Sequence, residues 1–351
     1  MLFRSNDLRV RTGYNRATRS PNVQELFVPQ GLGLGGSQDI CAGARPTATR
    51  EQCVRLGVPT AQYGNILENP ANQYNTLEGG NPNLAQEVAD TYTAGVVLTP
   101  RGLPGFSATL DYYSIKIDST IGNLEADDIM NQCAATGDST LCNLIHRDRL
   151  GTLWVLTDGY TITANQNIGK LESRGLDVSA GYARNIGRAG VLTTTLAGTY
   201  LMSQVTDTGL FDYDCVGFYG NQCGISTPRW RHSVRFAWDT TFNTTFSVGW
   251  RLIGRVKNDD LSSNPALGDP GNVPLLKLNF ADTLKTHNYL DVGATYRVRR
   301  NYNIVAGINN IFDKEPPLGA GASDNDFGPG FYGTYDHLGR YLFTGVQFTF
   351  Q

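Results

Sequence analysis

The feature that most constrains this chain is an alternation of apolar and polar residues, broken by connections that are by turns short and long. Leu8, Val10, Thr12 and Tyr14 alternate with Arg9, Arg11, Gly13 and Asn15. A period of two places successive side chains on opposite faces of a strand, so one face meets an apolar medium and the other a polar one. Tyr92, Ala94, Val96 and Leu98 repeat the pattern, as do Phe106, Ala108, Leu110 and Tyr112 after the turn residues 100–105. Leu176 to Tyr182 and Leu192 to Tyr200 flank a turn at 185–188, and Trp230 to Trp238 and Phe242 to Leu252 flank one at 239–241. Leu290 to Val298 turns at 299–301 into a segment ending at Ile308, and a last segment begins at Leu342. The pattern predicts about ten antiparallel strands of roughly 9 to 15 residues, enough to cross a bilayer at a tilt.

Connections near 102, 186, 240 and 300 are short, whereas 16–84, 118–165, 203–228, 256–286 and 311–337 are long. Transmembrane β-barrels have this asymmetry, with short periplasmic turns and long extracellular loops. Tyr14, Tyr92, Phe106, Tyr112, Tyr182, Tyr200, Trp230, Trp238, Phe242 and Trp250 sit near strand ends on the apolar face, as aromatic girdles require. Arg231, Arg235 and Arg251 lie on the opposite face, which a dry β-sandwich core excludes and a wet or plugged lumen accepts. The fold class is therefore all-β, a transmembrane antiparallel barrel. Composition agrees: charged residues are 17% against about 25% in soluble domains, and the net charge of −3 offers no basic footprint for nucleic acid.

Cys41 and Cys53, Cys133 and Cys142, and Cys215 and Cys223 form three sequence-neighbour pairs, all in long connections. Local pairing of an even count points to disulfides in an oxidising compartment. The spacing is not that of a zinc site, and the four histidines are dispersed. The start of the chain turns polar after Met1-Leu2-Phe3, without the pattern of a signal peptide, so the chain is expected to be a piece of something longer.

Four stretches, taken in order, resemble the C-terminal barrel portion of a TonB-dependent outer-membrane receptor. Residues 14–27, with Thr18-Arg19-Ser20-Pro21-Asn22 and Glu25-Leu26-Phe27, are similar to the family's strand-to-loop stretch. Asn81-Pro82-Asn83-Leu84 with Glu87 resembles the start of a following strand, and Asn309-Asn310-Ile311-Phe312-Asp313-Lys314 with Pro316 resembles a further motif. Gly339-Arg340-Tyr341 and a closing aromatic resemble the family's last strand, although Gln351 follows Phe350. The resemblance implies that residues 1–351 are the C-terminal part of a barrel of about 22 strands, without its plug domain. It implies as partners the plug and N-terminal strands of the same protein, the energy-coupling protein TonB, the barrel-assembly machinery and outer-membrane lipid. It implies uptake of a scarce ligand such as a ferric siderophore, a cobalamin or an oligosaccharide, with no cofactor, in a Gram-negative outer membrane. Ten strands alone would leave two open edges in the bilayer, so the chain by itself is expected not to transport.

Ligand contact is expected from the long loops: Trp154, Tyr160, Phe218, Tyr219, Phe331, Tyr332 and Tyr335 for stacking, with Arg229 and Arg340 for anions. Gly31-Leu32-Gly33-Leu34-Gly35-Gly36 matches a dinucleotide fingerprint in form, but lacks its strand and helix and reads as a flexible surface loop. Asp127, Asp128, His146 and Asp148 could serve a self-contained barrel enzyme; solvated carboxylates on a short helix over 125–132 are the plainer reading. Asp324, Asn325 and Asp326 lie in Gly-Pro-Gly turn context. A passive, porin-like channel of ten strands is the remaining alternative.

Overall fold

A computed structural model describes residues 3–5, 7–220, 222–267, 282–299, 301–317 and 334–349. Ten long strands run in chain order as β1 (Leu8–Arg19), β2 (Glu87–Leu98), β3 (Phe106–Gly122), β4 (Gln166–Asn185) and β5 (Val191–Asp207). They continue as β6 (Trp230–Asp239), β7 (Thr244–Ile253), β8 (His287–Arg299), β9 (Tyr302–Asn309) and β10 (Tyr341–Phe348). Each pairs antiparallel with the next, and short pieces at Phe3–Arg4 and Asp212–Asp214 complete one sheet. Among the described residues β1 and β10 are not paired with one another, so the sheet is open.

Register sets the two faces. Tyr14 faces Tyr92 across β1 and β2, and Tyr112, Leu176, Tyr200 and Trp230 stand side by side across β3 to β6. Towards the short turns, Phe106 lies beside Tyr182, and Leu192, Trp238 and Phe246 form a second row. These are two aromatic levels on the outward, apolar face, as membrane girdles require. The inward face is polar: Arg11, Gly95, Asp111, Asp177, Thr199 and Arg231 occupy one row. A Cβ on Gly95 would run into the Asp111 carboxylate and force it to shift from its place beside Arg11.

The turns fall where alternation breaks, but β3, β4 and β5 are longer than expected, with 17, 20 and 17 residues. The sequence pattern starts β4 near Leu176, whereas the strand begins at Gln166. Beyond the upper aromatic level the faces exchange character: Lys116, Asp118, Lys170 and Glu172 point outward, while Ile115, Ile117 and Leu171 point inward. An apolar-outward pattern therefore ends at the girdle although the hydrogen-bonded ladder does not.

The first two long connections fold together. Gly31–Gly36, Tyr74–Glu78, Tyr160–Ile162 and Ile145–His146 form a four-stranded sheet. Helices α1 (Val23–Phe27), α2 (Arg50–Arg55), α3 (Ala126–Thr136) and α4 (Ser139–Cys142) accompany it. The glycine run is thus a strand rather than a flexible loop, held by pairing with Tyr74–Glu78. A Cβ on Gly33 or Gly35 would crowd the Glu78 carboxylate lying across them, at 2.6 and 3.2 Å. The helix expected over 125–132 extends to Thr136 and ends at left-handed Gly137, whose N–H reaches the Cys133 carbonyl. Both disulfides of this unit, Cys41–Cys53 and Cys133–Cys142, lie in one core with Leu56, Ile129, Met130 and Leu153. The third, Cys215–Cys223, closes the connection between β5 and β6.

Candidate functional site

The inward face of the sheet is a hydrogen-bonded polar wall. Arg11 donates two bonds to Asp111, at 2.8 and 2.5 Å, and Thr199 donates to Asp177 at 2.8 Å. Arg251 holds two carboxylates, Asp291 at 2.8 and 3.1 Å and Asp336 at 2.8 and 2.6 Å, with its guanidinium 5.0 Å from the centre of the Tyr289 ring. Because Asp336 belongs to the last long connection, this arginine fastens that loop to the wall. His287, buried against Tyr335 and Tyr289 at the same end, has its pKa lowered by burial.

Where the wall meets the connection after β5, a cleft of about 410 Å³ opens. Tyr113, Ser173, Thr199, Gln204 and Arg231 supply its wall side; Cys223, Ser226 and Pro228 supply its loop side. Arg231 stands exposed on the inward face, and the disulfide fixes the loop above it. An aromatic ring, several hydroxyls and a guanidinium without an ion-pair partner among the described residues suit a partly aromatic, anionic ligand. The upper part of β1 carries a second fixed group: Arg19 bonds Glu87 at 2.6 and 2.8 Å and Glu25 at 3.0 and 3.1 Å. The Arg19 guanidinium draws the Glu87 carboxyl below its usual pKa, against the opposing effect of burial.

Most of the expected contact residues that are described fall in two clusters of packed loops. Trp154 packs on the core of the first, its indole N–H donating to the Leu67 carbonyl at 3.1 Å, and Tyr160 lies against His146 with centroids 5.1 Å apart. Phe218 packs beside Tyr213 and Cys215 in the second. Tyr219 and Tyr335 are core residues there, 0% and 4% exposed, with Tyr335 bonded to Ser226 and its pKa raised by burial. Fully packed rings present no face to a ligand, because neighbouring loops cover them. Arg229 and Arg340 are exposed, and Arg340 donates its backbone N–H to Asp313 at 2.7 Å. Phe331, Tyr332, Asp324, Asn325 and Asp326 lie outside the described residues. Sequence reasoning placed Arg231 on the polar face but missed it and Tyr113 as cleft residues; only the docked loop distinguishes them from their neighbours.

Asp127 and Asp148 serve as braces between backbone segments. Asp127 accepts from Ser37 N–H at 3.0 Å and from its hydroxyl, whereas Asp148 accepts from the N–H groups of Thr152, Leu150 and Leu156 at 2.8, 2.9 and 3.2 Å. Burial, with the Asp127 charge, raises the pKa of Asp128. Among the described residues no group of three or more His, Cys, Asp or Glu side chains could hold a metal ion.

A family model described as TonB dependent receptor-like, beta-barrel matches residues 3–311. No curated protein sequence matches the chain. A mutant of the ferric enterobactin receptor of Pseudomonas aeruginosa, solved with enterobactin, is similar with a TM-score of 0.58 at 16% identity, over 99% of this chain and 39% of that one. The siderophore receptor PirA of Acinetobacter baumannii gives 0.57 at 15% identity, over 99% and 39%, and the FrpB iron transporter of Neisseria meningitidis gives 0.50 at 13%, over 98% and 37%. The chain thus spans less than two-fifths of the length of these receptors. With ten consecutive antiparallel strands, two aromatic girdles and a family match over most of its length, the chain belongs to the TonB-dependent receptor-like β-barrels of the Gram-negative outer membrane.

Proposed function

We propose that this chain forms the C-terminal part of the wall and extracellular mouth of a receptor for active uptake of a scarce anionic chelate, a ferric siderophore. In this reading residues 1–351 adjoin further barrel strands at the free edges of β1 and β10, a plug occupies the lumen, and TonB supplies the driving force. Backbone N–H and C=O groups at a sheet edge have no partner in hydrocarbon, so a ten-stranded sheet needs such neighbours. The barrel-assembly machinery would act on the last strand.

The observation that carries the reading is the cleft of about 410 Å³ between the polar wall and the Cys215–Cys223 loop, with Tyr113 and Arg231 facing it. The similar receptors named for siderophores supply the ligand class. Uptake of radiolabelled ferric siderophores by iron-starved cells tests it. Arg231→Ala should weaken ligand binding by roughly tenfold or more, the loss of one charge-assisted contact. Removal of TonB should abolish uptake while leaving surface binding. Uptake that survives without TonB would instead describe a passive channel.

A further inference from the structure

Where the first two long connections join the ends of β1, β3 and β4, a second cleft of about 360 Å³ opens that shares no lining residue with the Arg231 cleft. Glu25 of α1 and Glu78 line it from the first connection, and Asn123, Thr163 and Asn165 line it from the second. Hydrogen bonds fix its frame. Gly80 and Asn81 donate their backbone N–H groups to the carbonyls of Val28 and Glu25, each at 2.9 Å, and the Asn81 side chain donates to the Asn165 carbonyl at 2.9 Å. Gly80 approaches α1 so closely that a Cβ would lie 2.6 Å from the Leu26 carbonyl carbon.

Within this frame several polar groups stand without partners. Thr163 is only 8% exposed, and its hydroxyl is buried with no hydrogen-bond partner. Burying a hydroxyl unpaired costs folding free energy, so such a group marks a place where a bound molecule completes the bonding. The carboxamides of Asn123 and Asn165 likewise have no partner among the described residues. Charge is in negative surplus. Arg19 answers Glu25 and Glu87 together, one cation against two carboxylates. Glu78 accepts the Thr76 hydroxyl at 2.8 Å and has no ion-pair partner among the described residues, and among these no Lys or Arg lines the cleft.

We propose that this cleft binds a hydroxylated primary amine. An ammonium group has three donors and no acceptor, and the Glu78 carboxylate and the Thr163 hydroxyl accept from it. The Asn123 and Asn165 carboxamides, which donate and accept at once, pair with the hydroxyls of the ligand. A neutral sugar would desolvate Glu78 without supplying a counter-charge. A hard divalent cation fits less well, because it takes about six to eight oxygen ligands and Glu25 is already held by Arg19. The volume is that of a small-molecule pocket and far exceeds an ion cage.

Equilibrium dialysis of radiolabelled glucosamine against the complete receptor, extracted from outer membranes in mild detergent, tests this. Glucosamine should bind, whereas glucose and N-acetylglucosamine, which lack the ammonium group, should bind about tenfold more weakly. Glu78→Gln keeps an acceptor for Thr76 and removes the charge; it should weaken glucosamine by about tenfold. Should that variant fail to fold, Thr163→Val, of nearly the same shape, should weaken glucosamine by about fivefold. Absence of glucosamine binding, equal binding of glucose, unchanged affinity in the folded variants, or displacement of glucosamine by an equal concentration of calcium ions would each overturn the assignment.

Discussion

Arg147 and Asp39, 108 residues apart in sequence, meet as a two-pronged ion pair at 2.7 and 2.9 Å with side chains only 3% and 1% exposed. Two further guanidinium donors reach the carbonyls of Leu56 and Gly151, each at 2.8 Å. Every charge in this buried pair is answered by a partner, and the pair joins the first long connection to the second.

Arg147→Ala should therefore destabilise the loop unit by about 3–5 kcal/mol, because Asp39 is left buried without its counter-charge. Hydrogen exchange across residues 37–58 checks this. The double change Asp39→Leu with Arg147→Met should cost much less, since both desolvated charges disappear together.

Cys41→Ser with Cys53→Ser should cost about 2–4 kcal/mol. The loss should be confined to the loops, because the disulfide lies in their core and not in the long sheet. Protease should cut the 20–86 connection faster while far-ultraviolet circular dichroism of the strands stays unchanged. Simultaneous loss of the long strands would contradict this.

Acid should loosen the mouth in two stages. Burial holds His287 below its ordinary 6.5, so the unfolded state binds its proton more readily. The stabilisation is complete above 6.5 and is lost as pH falls through the lowered folded value. Glu87 lies below its ordinary 4.5 because of Arg19, so its contribution is complete above 4.5 and is lost further into acid. Exchange protection of residues 334–340, whose Tyr335 packs on His287, should fall first, and that of 19–27 later. His287→Phe should erase the first stage only; a first stage that persists would locate it elsewhere.

Arg251→Gln should release the last loop from the wall. Asp291 and Asp336 would then face each other without the guanidinium, a loss of about 1.5–3 kcal/mol for charged hydrogen bonds. Faster proteolysis near Asp336, with unaltered pairing of β7 and β8, is the expected outcome. Asp336→Asn should be milder, because Asp291 keeps its own two bonds to Arg251.

Alternation from Leu8 to Tyr14 or from Trp230 to Trp238 was legible because a strand between two solvents writes its faces into adjacent residues. The Cys41–Cys53 pairing was legible for a similar reason: its partners are near in sequence. The upper halves of β3 and β4 were not, because the apolar alternation stops at Tyr112 and starts only at Leu176, and Lys116 and Lys170 point outward beyond it. Nor was the strand at Gly31–Gly36, since its ladder depends on Tyr74–Glu78 across a long connection.

By itself the sequence determined a membrane sheet of ten strands, its turns, its two faces and the sites of its disulfides. These follow from nearest-neighbour chemistry repeated along the chain. Only the tertiary structure decided which loops join, that Tyr219 and Tyr335 are packed inside them, and that Tyr113 and Arg231 border an open cleft. Those relationships join residues such as Asp39 with Arg147 or Ser226 with Tyr335, separated by 108 and 109 positions. No local periodicity encodes them, because burial of a loop residue is set by what docks over it.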